Sequence, residues 1–141
     1  MKRLTRFAPW LSRAVLAGAT LIFSMIGLRN ITDPVHNSAE IGIRLGSALA
    51  STTTRVESGA IPLGFAIFTL ICLVSSRWVL AGVGLVSIVI TTAIIVRVLG
   101  LVTDGPAPES TRLFIPEGLM LALSVTAIIL ESQRRRVVAP R

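Results

Sequence analysis

The chain has 141 residues, of which 52% are apolar and only 15% charged, with a mean hydropathy of +0.79. A soluble domain charges about a quarter of its residues, so this composition excludes one and points to an integral membrane protein. The formal charge of +7 does not signal nucleic acid, because the basic residues sit at the chain ends (Lys2, Arg3 and Arg6; Arg134, Arg135, Arg136 and Arg141) with no interleaved aromatics and no basic amphipathic face.

Four apolar stretches approach the roughly 20 helical residues that cross a hydrocarbon core of about 30 Å. They run from about residue 7 to 28, 56 to 74, 78 to 102 and 113 to 130. The predicted fold is therefore all-α, a single transmembrane domain over residues 1–141 built as a four-helix bundle. The first stretch follows a basic start, as a secretory signal would. It ends in Ile26-Gly27-Leu28-Arg29, a poor cleavage site, and is read as a retained helix.

The outer loop, 29–55, opens with the breaker Asp33-Pro34. Asn37 followed by Glu40 forms a capping-box pattern, and Ile41, Leu45, Ala48 and Leu49 recur at helical spacing, which predicts a short helix lying on the membrane interface. His36 stands there with no cysteine or acid at ligand spacing, so no metal site is expected. Pro62, just inside the second span, removes the hydrogen bond that the Ser58 carbonyl would accept. Cys72 lies inside an apolar run and reads as packing. Ser75-Ser76-Arg77 is a tight turn into the third span, which carries Arg97 about five residues from its end, or roughly 7 Å deep at 1.5 Å per residue. Asp104-Gly105-Pro106 turns the chain, Pro116 starts the fourth span and Glu117 follows it. Residues 131–141 form a basic tail. Small residues along the spans, Gly18, Gly64, Gly82, Gly84, Ser87 and Thr91, suit close helix contacts and are compatible with a homodimer or a membrane partner subunit.

Basic residues are retained on the cytoplasmic side. With both termini inside, that side holds Lys2, Arg3, Arg6, Arg13, Arg77, Arg134, Arg135, Arg136 and Arg141, against Arg29, Arg44, Arg55 and Arg112 outside. Asp33, Glu40, Glu57, Asp104 and Glu109 fall outside. Arginine outnumbers lysine thirteen to one, as in the products of GC-rich bacterial genomes, so the expected location is a bacterial inner membrane. Trp10 and Trp78 then share the inner interface, where indoles prefer to sit.

An ionised side chain inside a span costs a few kcal/mol and normally finds a partner. Arg97 and Glu117 reach similar depth from the same outer surface, and Arg55, Glu57 and Asp104 lie at that level. The prediction is one buried polar cluster of Arg55, Glu57, Arg97, Asp104 and Glu117. Two readings stand side by side: charges that pair across helices to set register, or a small cavity in which Arg97 and Arg55 hold an anionic or carbonyl-bearing ligand while the carboxylates position them.

The sequence also resembles a bacterial membrane family known as domain of unknown function 4345. The likeness runs from about Leu11 to Glu131 and rests on Asp33-Pro34, Arg55 with Gly59, Arg97, Asp104-Gly105 and Glu117. Family members often have two adjacent glycines where this chain has Ser58-Gly59. The resemblance implies a small four-helix inner-membrane protein, more distantly similar to DoxX-like proteins, some of them linked to redox or quinone pathways.

These readings lead to an uncharacterised polytopic protein that binds a small lipophilic or anionic ligand, or a lipid, through the outer cluster, or that serves as an accessory subunit. No cofactor is expected, no catalytic signature is present, and membrane lipids are the expected surroundings. One rival is an intramembrane enzyme acting on a quinone or lipid, with Glu117 or Glu57 as proton carrier beside Arg97. The other is a small transporter. Small multidrug exporters place their acid in the first span, and residues 7–28 contain none.

Overall fold

A computed structural model describes residues 4–105 and 108–138, and among these the chain is all-helical with no strand. Lys2, Arg3, Pro106 and Arg141 lie outside the described residues, as do the side chains of Arg6 and Glu109. The elements are α1 (Leu4–Thr32), α2 (Pro34–Glu40), α3 (Ala48–Thr54), a π-helical segment (Arg55–Ala60), α4 (Ile61–Val74), α5 (Val79–Thr103), α6 (Pro108–Arg112) and α7 (Phe114–Val138). Among the described residues, four helices are long and apolar enough to cross a membrane: Ala8–Thr32, Ala48–Val74, Val79–Thr103 and Thr111–Arg136. Leu21, Ile67, Ile88, Val102 and Ile115 stand exposed on them. Such side chains are costly in water and well solvated by lipid tails, so the chain reads as a multi-pass membrane protein.

The short helix expected between the first two spans exists as α2, but it starts and stops earlier than the capping-box pattern suggests. Asp33 caps it, its carboxylate accepting from the His36 N–H at 3.1 Å, with Pro34 in the first turn, where its missing N–H costs nothing. Asn37 instead donates through Nδ2 to the carbonyls of Arg29 at 2.6 Å and Asp33 at 2.7 Å. Gly42 has φ +80, a left-handed conformation that ends the helix and favours glycine. Ile41 and Leu45 therefore do not continue a helix with Ala48 and Leu49. Ser47 caps α3, accepting from the Ala50 N–H at 3.1 Å.

The second span is longer than its apolar core. It begins at Ala48 and passes Pro62 through the π-helical segment. Proline cannot donate to the Ser58 carbonyl, and the Ile61 N–H reaches back to Val56 O, the wider bonding of a π turn. The turn at 75–78 forms as expected, with the Trp78 N–H donating to Ser75 O at 3.0 Å. At the far end of α5, Gly105 has φ +92, the glycine that closes a helix C-terminus. The fourth helix continues to Val138, so residues 131–138 of the basic tail are helical.

The chain packs as two compact units, one of Met1–Leu16 with Cys72–Arg141 and one of Ala17–Ile71. In the second unit two backbones meet at glycines. A Cβ on Gly27 would lie 2.9 Å from both Gly59 O and Leu63 N, and one on Gly59 would lie 2.7 Å from Ile31 Cγ1. Next to this contact, Phe23 and Phe65 pack with ring centroids 5.7 Å apart, and the hydroxyls of Thr20 and Thr69 hydrogen-bond at 2.9 Å. In the first unit Gly82 admits Cys72 and Leu16: a Cβ there would meet Cys72 Cβ at 2.5 Å and Leu16 Cδ2 at 2.8 Å. Cys72 is buried as a packing residue. The expectation of tight contact thus holds at Gly82, whereas a Cβ on Gly64 or Gly84 would have nothing within 4 Å.

Candidate functional site

Within the first unit, α5 and α7 run side by side and are joined at two levels. Near the middle, the Ser87 hydroxyl donates to Ser124 Oγ at 2.8 Å, and Ser124 in turn donates to Leu121 O at 3.0 Å. Two turns earlier on α7, Arg97 grips Glu117 in a fork: Nε donates to Oε2 at 3.1 Å and Nη2 to Oε1 at 2.6 Å. Glu117 and Ser124 are seven residues apart, two helical turns, so one stripe of α7 carries both contacts.

The fork is the strongest geometry available to a guanidinium and a carboxylate, since two parallel charge-assisted bonds set both distance and plane. Glu117 lies in the first turn of α7, after Pro116, where the positive end of the helix dipole favours a carboxylate. Arg97 and Glu117 retain 23% and 16% side-chain exposure. They are half-buried, paired across two spanning helices, and still reachable from the surface of the unit.

The other three predicted residues are placed differently. Asp104 caps α5 and is exposed, one turn beyond Gly100 and two beyond Arg97. Arg55 and Glu57 belong to the other unit, in the π-helical segment, and both are exposed. Arg55 donates through Nε to Ile31 O at 3.1 Å, so the cation caps the C-terminal end of α1, where carbonyls lack helical partners. The structure thus brings together Arg97 and Glu117, gives Arg55 a backbone carbonyl, and leaves Glu57 and Asp104 facing outward.

A second ionic cluster, absent from the sequence expectation, occupies the other end of the same unit. Glu131 is 1% exposed and accepts from Arg134 twice, Nε at 3.0 Å and Nη2 at 2.7 Å, and from Arg135 Nε at 3.1 Å. Arg135 also donates through Nη2 to Ser76 O at 3.0 Å and Arg77 O at 3.3 Å. Arg13 Nη2 donates to Ser76 Oγ at 3.2 Å. These bonds gather the start of α1, the 75–78 turn and the end of α7 at one end of the unit, as a four-span path requires. The signal that could have found the cluster is the spacing of Glu131, Arg134 and Arg135, which puts an acid on one helical face with bases at i+3 and i+4.

Comparison with known proteins adds no relative: no family model, curated protein or solved structure matches the chain.

Proposed function

We propose that this protein is a non-enzymatic polytopic membrane protein, resident in a bacterial inner membrane, that binds a small lipophilic ligand bearing a carbonyl or anionic group at Arg97. The observation that carries this reading is the Arg97–Glu117 fork, held between two spans yet partly exposed. A guanidinium confined to a plane by a carboxylate is preorganised for a second planar or anionic acceptor, and little side-chain entropy is lost when one arrives. Its low-dielectric surroundings strengthen any such contact. The likeness to the family named above rests on the same Arg97 and Glu117 and is consistent with this role.

The test is native mass spectrometry, with lipid and small-molecule identification, on protein purified in mild detergent. The comparison is wild type against Arg97→Leu/Glu117→Leu, which removes both charges and leaves neither buried alone. A discrete species on wild type that is missing from the folded double variant is the expected result. Identical spectra for the two folded proteins, with bulk lipid only, would overturn the proposal.

A further inference from the structure

The cluster around Glu131 encloses a cavity of about 270 Å³, lined by Pro9, Arg13, Ser76, Val79, Glu131 and Arg134. All of these residues belong to one unit. The cavity lies about 21 Å along α7 from Glu117, at 1.5 Å per residue, and shares no residue with the Arg97 site.

Its charge is unbalanced. Glu131 is satisfied by Arg134 and Arg135, so one carboxylate faces two guanidiniums, and Arg13 adds a third whose bond here is to the neutral Ser76 hydroxyl. The cavity wall itself carries two cations, Arg13 and Arg134, against the one carboxylate of Glu131, which leaves it positive, and that carboxylate is already held by Arg134 and Arg135. Val79 and Pro9 supply an apolar side. Trp10 and Trp78, both on this unit, are 77% and 50% exposed, and exposed indoles on a membrane protein mark headgroup depth. A polar, cationic cavity at that depth with one apolar wall fits a phosphate joined to a glycerol backbone, and guanidinium forks match phosphate oxygens.

We propose that this cavity binds the phosphate of an anionic phospholipid, with Arg13 and Arg134 contacting the phosphate, Ser76 adding a hydroxyl, and Glu131 holding Arg134 in position. Free phosphate shares the recognised chemistry and is separated from the lipid by experiment.

The test uses the full chain in neutral detergent, titrated with phosphatidylglycerol, with phosphatidylcholine and with inorganic phosphate, each read by native mass spectrometry. Wild type should retain phosphatidylglycerol over phosphatidylcholine, and Arg13→Gln should weaken that retention about tenfold, the loss of one charge-assisted contact. Arg13 is exposed, so its replacement should leave the helices intact by circular dichroism. Val79→Phe, which fills the cavity without altering charge, should also lose the lipid. Arg112→Gln, an exposed change in α6, should not. Undiminished phosphatidylglycerol binding by folded Arg13→Gln, or an equal loss in Arg112→Gln, would overturn the proposal. Inorganic phosphate bound as tightly as phosphatidylglycerol would overturn the lipid assignment.

Discussion

Arg97 and Glu117 each carry a charge into a span, and their mutual fork is what makes that tolerable. Removing Arg97 leaves the Glu117 carboxylate without its fork, which costs about 3 kcal/mol or more, whereas removing both charges can be nearly neutral. Arg97→Leu should therefore lower stability by about that amount, and adding Glu117→Gln should recover more than half of it. Reversible unfolding in mixed micelles, read as a double-mutant cycle, checks this. Additive losses would mean that the two side chains do not depend on each other. The same logic ranks the remaining acids. Glu131 is buried beneath two guanidiniums, so Glu131→Gln should cost about 2 kcal/mol or more. Glu40 meets Arg29 at 3.8 Å and His36 at 3.3 Å with half its side chain exposed, and such surface pairs contribute about 0–1 kcal/mol. Glu40→Gln should be nearly silent in the same unfolding measurement.

At the scale of elements, Gly27 and Gly59 let the backbones of α1 and the second span approach closely. A methyl group on Gly27 would meet backbone atoms, which cannot swing away. Gly27→Ala should thus destabilise by about 1–3 kcal/mol, as overpacking does. Gly64→Ala meets nothing within 4 Å and should be neutral or stabilising by up to about 1 kcal/mol, the helix preference of alanine over glycine. Thermal melts of the two variants in one detergent make the comparison. The sequence made the helix ends legible wherever local chemistry decides them: Asp33-Pro34, the 75–77 turn, Gly105 and Pro116 all act at the predicted places. It misled where a helical spacing crossed a glycine, since the side chains of Ile41 through Leu49 argue for a helix that Gly42 interrupts. Pro62 announced a lost hydrogen bond, but not that a π turn would absorb it and let the span start at Ala48.

Across the whole molecule, charges inside an apolar pattern were readable as pairs because lipid leaves them few alternatives, and Arg97 with Glu117 followed from depth alone. Glu131 escaped because it stands among arginines at a chain end, where any acid looks solvated. Its burial depends on Arg135 reaching back to the 76–77 carbonyls, a contact distant in sequence. The gathering of the α1 start, the 75–78 turn and the α7 end fits a path with both termini on one side, and from the basic residues concentrated there we propose that this side is cytoplasmic. The proposed polarity puts Arg97 in the outer leaflet and the Glu131 cavity in the inner one. The direct measurement is thiol labelling of intact bacterial cells or spheroplasts with a membrane-impermeant maleimide, in a Cys72→Ala background, using His36→Cys and Gln133→Cys. With both termini cytoplasmic, position 36 labels from outside and position 133 labels only after permeabilisation; the reverse pattern, or labelling of both from outside, would contradict that topology.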